Sequence, residues 1–181
     1  MHTNEPLLIV ITGPVGGGKS STALALSRVL QETSLAAVID LDQIYGFVRQ
    51  TDEPDDAIAW QRARRGAAGL ALALFDAGMS TVIVEGEFFT TEELNALLAS
   101  IPASVSRRVI TLQGSYAQMW TRVQGDPSRG MSTILSFLQA MAVKFEEALP
   151  FGRQSSTIID ANTSTLDDVA RQLVGIVALQ Y

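Results

Sequence analysis

Residues 7–20 read LLIVITGPVGGGKS, and this stretch decides the fold of the chain. Residues 7–12 form a short apolar run, which predicts a buried strand. Residues 13–20 fill the pattern G-x-x-x-x-G-K-[ST], and residues 20–30 carry apolar side chains at helical spacing. The sequence therefore predicts a strand, a glycine-rich loop and a helix in direct succession.

The glycine-rich loop is predicted to bind the phosphates of ATP. Backbone N–H groups reach closely spaced anionic oxygens only where no Cβ intervenes, and a helix N-terminus adds partial positive charge. Lys19 is expected to be a solvated side chain whose charge acts on the β and γ phosphates, and the Ser20 hydroxyl to enter a Mg²⁺ shell. The predicted ATP-binding set is Gly13, Val15, Gly16, Gly17, Gly18, Lys19, Ser20 and Ser21.

Length and composition indicate one globular domain over residues 1–181, with 47% hydrophobic and 18% charged residues. A net charge of −6 argues against a nucleic-acid partner, because binding to a phosphate backbone needs a basic surface. The absence of cysteine excludes disulfides and thiolate metal sites. With no basic signal region and an apolar run too short to span a bilayer, we expect a cytoplasmic protein without a membrane partner.

Strand and helix patterns alternate along the remaining chain. This order predicts an α/β fold with a parallel sheet of five strands. The further predicted strands are 36–39, 81–84, 108–112 and 157–159. The predicted helices are 19–31, 55–78, a helix opened by a capping box at Thr90, 116–123, 134–149 and 166–177.

The strand ends carry the candidate catalytic residues, since ligands of open α/β sheets collect beyond the carboxyl ends of the strands. Asp40 and Asp42 follow strand two, and a spacing of two in an extended segment sends both to one side. One could hold Mg²⁺ through water while the other accepts a proton from an attacking hydroxyl. The alternative is that Asp42 caps the helix after it.

Glu85 and Glu87 follow strand three. Glu85 is a candidate for contact with the metal or the substrate. The alternative is a carboxylate held by backbone N–H groups at a turn.

Together these motifs resemble the small P-loop kinases of the nucleoside-monophosphate-kinase-like superfamily, which include shikimate kinase, gluconate kinase and chloramphenicol phosphotransferase. The resemblance rests on the 13–20 loop, the segment VIDLD at 38–42, the segment RVQGDPSRG at 122–130 and the tail at 158–170. It implies a three-layer α/β/α P-loop NTPase fold with a short lid at about 122–131. It also implies a kinase that uses ATP and Mg²⁺ to phosphorylate a hydroxyl of a small molecule, either a metabolite or an antibiotic.

The resemblance also implies roles for single residues. A similar D-x-D motif in shikimate kinase makes the first Asp, here Asp40, the metal-side residue, and the second, Asp42, the catalytic base. Arg122 and Arg129 match lid arginines that close over the phosphates, a closure that would also keep water from the reacting phosphoryl group. Asn162 lies in the stretch that matches the adenine-binding loop. The predicted site is therefore catalytic at Lys19, Asp42, Arg122 and Arg129, and metal-binding at Ser20 and Asp40.

The long helix after residue 54 carries three arginines. Arg62 and Arg65 could point at a substrate anion, and Arg64 pairs with Trp60 at a spacing of four. Three arginines on one helix more often form a solvated face, so none is assigned to binding.

The sequence is also compatible with two other functions. One is an ATP-binding hydrolase or regulatory module without an acceptor, and the other is an interaction protein that keeps the fold for structural reasons. The GTPase signatures D-x-x-G and N-K-x-D do not occur in the chain.

Overall fold

The computed structural model describes residues 5–50, 56–125, 132–160 and 166–178. Within these residues, strands and helices alternate as the sequence predicts. The strands are β1 (Leu7–Thr12), β2 (Ala36–Asp40), β3 (Thr81–Glu85), β4 (Ser106–Gln113) and β5 (Thr157–Asp160). The helices are α1 (Lys19–Leu30), α2 (Leu41–Val48), α3 (Ala57–Asp76), α4 (Thr91–Leu98), α5 (Tyr116–Gln124), α6 (Leu135–Ser155) and α7 (Leu166–Ala178).

The five strands form one parallel sheet in the order β2-β3-β1-β4-β5. β1 lies at its centre and is buried along its whole length, as an apolar strand with two neighbours must be. The register pairs Glu85 with Ile11 on one side and with Asp40 on the other. The carboxyl ends of β2 and β3 therefore meet beside the loop that follows β1.

Successive side chains of β1 point to opposite faces and enter two separate cores. Leu8 and Val10 pack in a core with α3 and α4, whereas Ile9 and Ile11 pack in a core with α1 and α7. Because helices cover both faces, the predicted three-layer α/β/α arrangement is confirmed. No helix in the described part of the chain combines the length and the apolarity needed to cross a membrane.

α3 presents a face of small residues to the sheet. The alanines at 63, 67 and 71 are fully buried, and their short side chains let the helix approach β3 closely. Arg64 is the exception on the inward side of this helix, with an exposed fraction of 6%. The Arg64 side chain thus places a positive charge inside the protein at the carboxyl end of the sheet.

Candidate active site

The glycines of the 13–20 loop are required by close backbone contacts. Gly13 has φ +152°, and a Cβ there would stand 2.7 Å from the Leu112 carbonyl oxygen. Gly16 has φ +75°, and a Cβ would meet the Met119 carbonyl oxygen at 3.0 Å. The loop is thus pressed against β4 and α5, and no side chain fits at these positions.

Lys19 is buried, with an exposed fraction of 8%, so the expectation of a solvated side chain is wrong. Its Nζ donates to the carbonyl oxygens of Gly13 and Pro14, at 3.2 Å each, and forms an ion pair with Glu87. Burial lowers the pKa of Lys19, but the Glu87, Glu85 and Asp42 carboxylates outweigh it and raise the pKa above the ordinary value. The lysine is therefore a charged group at the centre of the site.

The chain enters a helix directly after Asp40, which corrects the predicted extended arrangement of Asp40 and Asp42. Asp40 is the N-cap of α2: its Oδ1 accepts the N–H groups of Asp42 at 2.8 Å and Gln43 at 3.3 Å. The capping role that the sequence offered to Asp42 thus belongs to Asp40. Asp42 lies in the first turn of α2, and its carboxylate is left for other contacts.

Leu41 fixes the two strand ends relative to each other. Its side chain is fully buried and packs on Gly86, where an added Cβ would stand 2.7 Å from the Leu41 Cβ. Only glycine permits this contact. Glu85 and Glu87, on either side of Gly86, are thereby held beside α2 and the glycine loop.

Glu85 contacts the first turn of α1. It is buried and accepts a hydrogen bond from the Ser20 side chain. Burial is the main cause of its raised pKa; the Ser20 hydrogen bond and the Lys19 charge oppose the rise, and the Asp40 and Glu87 charges add to it.

Asp42 is the acidic group with the clearest functional signature. Desolvation in the cleft, with repulsion from Glu87, Asp40 and Glu85, raises its pKa to about 7, although Lys19 opposes the shift. The side chain itself stays accessible to solvent. A carboxyl group that exchanges its proton near neutral pH and is open to a substrate suits general-base catalysis.

The donor set fits Mg²⁺ carried in by phosphates better than a metal cage built by the protein. Among the described residues no cluster of three acidic or histidine side chains could hold a metal ion. The Ser20 hydroxyl, hydrogen-bonded to Glu85, and Asp40 at the adjacent strand end supply oxygen ligands only. Mg²⁺ keeps several waters and binds through few protein oxygens together with substrate phosphates, so these residues fit it.

A small cavity of about 90 Å³ adjoins the glycine loop, and we call it the acceptor cavity. One wall is formed by the loop and the segment after β3, and the other by α3, α4 and α6. Its lining combines aromatic rings with charged groups. Its lining residues are Val15, Trp60, Arg64, Glu87, Phe89, Glu93, Phe137, Met141 and Lys144.

Arg64 is the buried cation of the acceptor cavity. Its Nη2 pairs with Glu93 at 3.1 Å, and its guanidinium lies 5.7 Å from the centre of the Trp60 ring and 5.6 Å from that of Phe88. Desolvation lowers its pKa, and Glu93 and Glu87 oppose that change. Its Nε is buried and has no hydrogen-bond partner among the described residues. An unsatisfied buried donor beside a cavity can donate to an oxygen of a water or of a ligand.

The three arginines of α3 do not form the one solvated face that the sequence led us to expect. Arg62 and Arg65 are exposed, whereas Arg64 is buried and stacks over Trp60 as its spacing of four predicted. Arg64, Glu87 and Lys144 were not assigned to the site from the sequence. The signal for Arg64 was a single charge on an alanine-rich face; for Glu87 it was the E-G-E spacing after β3. Lys144 lies on α6 and gave no local signal.

Of the two predicted lid arginines, only Arg122 lies within the described residues. Its Nη1 is 3.4 Å from the Gly17 carbonyl oxygen, which places the guanidinium against the glycine loop. Arg129 and Asn162 lie outside the described residues, as does most of the predicted lid, and their roles stay predictions. Val15 faces the acceptor cavity and Ser21 lies in the first turn of α1.

The predicted capping box at Thr90 is confirmed, with one difference. The Thr90 hydroxyl accepts the Glu93 N–H at 3.2 Å, while the Glu93 carboxylate accepts from Phe89 instead of from Thr90. The second oxygen of Glu93 is thus free to hold Arg64.

No protein-family model matches the chain, and no curated protein matches it. Solved structures do match. The chain is 20% identical to a gluconokinase from Sinorhizobium meliloti 1021, over 97% of its length and 94% of that protein, with a TM-score of 0.66.

Two further structures cover nearly the whole chain. A sugar kinase from Janibacter sp. HTCC2649 is 19% identical over 97% of this chain and 96% of its own, with a TM-score of 0.70. A shikimate kinase from Acinetobacter baumannii, solved with shikimate, is 15% identical over 96% of this chain and 94% of its own, with a TM-score of 0.67. The chain thus has the fold of small P-loop kinases, as its motifs predicted.

Proposed function

We propose that the protein is a kinase that transfers the γ-phosphoryl group of MgATP to a hydroxyl group of a small molecule. The observation that carries this proposal is the position of Lys19. Its ammonium contacts the glycine loop and pairs with Glu87, which lines the acceptor cavity, and the charge of Asp42 also acts on it. A phosphoryl group transferred from a nucleotide on the glycine loop to a molecule in the acceptor cavity would pass close to the Lys19 ammonium.

Each part of the site has a role in such a transfer. Phosphoryl transfer spreads negative charge over the γ-phosphoryl oxygens, which Lys19 and Arg122 would stabilise. The Ser20 hydroxyl and the neighbouring Asp40 and Glu85 would hold Mg²⁺ with its waters, and the ion would neutralise phosphate charge. Asp42 would orient the acceptor hydroxyl and take its proton. A kinase that consumes ATP works where ATP is made, so we propose the cytoplasm as its location.

The acceptor cavity indicates features of the acceptor. Its volume of about 90 Å³ is small, so a compact group enters, with larger parts of the molecule outside. The aromatic walls favour an apolar or flat face on the acceptor, and the unpartnered Nε of Arg64 favours an oxygen that accepts a hydrogen bond. The similar solved structures are named as kinases of gluconate, of a sugar and of shikimate, and compounds of that kind belong first in a screen.

The proposal is tested by screening hydroxyl compounds for ATP consumption. The Lys19→Ala variant is assayed in parallel as a control, because ATP consumption that persists in it comes from contaminating enzymes. ATP consumption that appears only with particular compounds supports the kinase. A rate that no hydroxyl compound alters would favour a hydrolase instead, and a folded protein that binds no nucleotide would favour an interaction protein.

Once an acceptor is found, two pairs of variants separate the roles. Asp42→Asn should lower kcat by about 10²- to 10⁴-fold with little change in MgATP affinity, whereas the Asp40→Asn defect should be partly rescued by added Mg²⁺. Arg64→Lys should raise KM for the acceptor, while Arg62→Lys, exposed on the same helix, should not. If Asp40→Asn behaves as the base variant instead, the two roles must be exchanged.

A further inference from the structure

Glu87 links the two halves of the site. Its carboxylate pairs with Lys19, and its side chain also lines the acceptor cavity. Its carbonyl oxygen lies 3.5 Å from Nη2 of Arg64. The exposed fractions of the paired side chains are 9% for Lys19 and 15% for Glu87, so water screens the pair weakly.

Protein groups use the full hydrogen-bonding capacity of Lys19. An ammonium group has three N–H donors. The three acceptors around Nζ are the carbonyl oxygens of Gly13 and Pro14 and the carboxylate of Glu87. A phosphate oxygen can therefore bind Lys19 only by replacing one of these partners.

Of the three partners, Glu87 is the one that phosphates would replace. The two carbonyl groups belong to the loop that forms the phosphate site and carry no net charge. Glu87 is an anion and would repel the incoming phosphates, while it competes with them for the same cation. Exchange of carboxylate for phosphate keeps Lys19 neutralised, so the lysine is never left as an unpaired buried charge.

We propose that Glu87 is a positioning residue that occupies Lys19 in the nucleotide-free protein and is released into the acceptor cavity when a nucleotide binds. This inference rests on the proposed kinase function and adds a binding order to it. Before the nucleotide binds, the wall of the cavity carries a neutral ion pair. Afterwards it carries a carboxylate that can accept a hydrogen bond from the acceptor, so the nucleotide binds first and prepares the acceptor cavity.

The test measures nucleotide affinity and needs no acceptor. The probe is the magnesium complex of AMPPNP, a non-hydrolysable ATP analogue, in isothermal titration with the 181-residue protein. Glu87→Gln removes the competing charge and keeps the side-chain shape, so we expect Kd to fall about tenfold, the effect of one charge-assisted hydrogen bond. The matched control is Glu32→Gln, because Glu32 is exposed beyond the far end of α1 and should leave Kd unchanged.

A double-mutant cycle separates this exchange from a structural role. If Glu87 acts on the nucleotide mainly by occupying Lys19, Glu87→Gln should improve the residual affinity in the Lys19→Ala background by much less than it does in the native background, because only its direct repulsion of the phosphates remains there. Unchanged or weaker binding in Glu87→Gln alone would overturn the inference, since a residue that merely supports Lys19 would lower affinity when lost.

Thermal unfolding gives a second readout. Glu87→Gln should lower the midpoint without nucleotide, because Lys19 loses its partner, and should show a larger rise on nucleotide addition than the native protein. If Glu87→Gln fails to fold, Glu87→Asp retains the charge but shortens the reach to Lys19, and it should also bind the nucleotide more tightly; weaker binding would refute the exchange.

The inference and the proposed function can fail separately. One outcome is that the native protein binds AMPPNP, Lys19→Ala does not, and Glu87→Gln binds it with an unaltered Kd. This outcome would support the proposed function and reject the exchange. Native protein that binds no nucleotide would reject both.

Discussion

The two ends of the sheet each carry hollows, and these differ more in the charge of their linings than in size. The groove at the amino end has a volume of about 600 Å³. At the carboxyl end the acceptor cavity has about 90 Å³, and an open hollow that shares Trp60, Arg64, Glu93 and Lys144 with it has about 570 Å³. The groove has one ionisable lining residue, Asp76, whereas the acceptor cavity has four: Arg64, Glu87, Glu93 and Lys144. Apart from Asp76, the groove is lined by Pro6, Thr33, Ser34, Leu35, Leu72, Phe75, Gly78, Met79, Ser80, Pro102, Ser104 and Val105.

The difference follows from the parallel sheet. All strands end on the same side, so the acidic residues after β2 and β3 and the N-terminus of α1 gather there. The amino ends of the strands receive only the connections from the preceding helices. Convergent charge, and not the volume of a cavity, therefore distinguishes the candidate active site from the groove at the amino end.

The largest expected contrast between the two ends comes from removing Lys19. Lys19→Ala should lower ATP turnover by about 10³-fold or more, because the charge that stabilises the phosphates is lost. It should also lower thermal stability, since Glu87 then stays buried without its partner. The control at the amino end, Asp76→Asn, should leave turnover unchanged. MgATP binding and turnover of Lys19→Ala at native levels would contradict the site.

The next contrast concerns two glycines with positive φ. Gly13→Ala should cost about 3 kcal/mol, since a Cβ there is strained and also meets the Leu112 carbonyl oxygen. Gly78, beside the amino-end groove, has φ +95° with no atom within 4 Å of an added Cβ, so Gly78→Ala should cost only about 1 kcal/mol. Urea unfolding measures both. Equal losses would show that the glycine loop is less tightly packed than described.

A smaller contrast separates metal binding from nucleotide binding. Ser20→Ala should weaken MgATP binding about tenfold and leave metal-free ATP binding nearly unchanged, because it deletes an oxygen ligand and no charge. Ser34→Ala, in the amino-end groove, should alter neither affinity. Titrations with and without Mg²⁺ decide this, and equal losses under both conditions would assign Ser20 a packing role.

The smallest expected effect is the dependence of stability on pH through Asp42. Its pKa of about 7 lies above the ordinary value of 3.8, so the folded state binds more protons between these values. The contribution of Asp42 to stability is therefore complete below about pH 4 and declines as pH rises to about 7.

Asp42→Asn removes this decline. It should raise the unfolding midpoint at pH 8 by about 2–4 °C, which corresponds to about 1 kcal/mol after allowance for solvent screening, and have little effect near pH 4. Asp76→Asn should not shift the midpoint. If Asp42→Asn stabilises the protein equally at pH 4 and pH 8, the charges of Glu87, Asp40 and Glu85 do not act on Asp42.

Much of the fold was readable because its signals are local. The apolar runs, the capping box at Thr90 and the glycine pattern each depend on a few neighbouring residues, and the predicted strands agree with the observed ones within two residues at each end. The helix that begins at Leu41 was harder to place. Asp40 and Asp42 look alike in sequence, and only the backbone path decides which of them caps the helix.

The sequence by itself determined the order of strands and helices, the phosphate-binding loop and the acidic residues at the strand ends, because periodicity and glycine content act over short distances. The tertiary structure decided what those groups contact. Lys19 and Glu87 are 68 residues apart in sequence, and Arg64 meets Glu93 from another helix. Such pairs form only when the sheet brings distant segments together. Burial, and the exchange of partners proposed for Lys19, therefore follow from packing that local sequence does not encode.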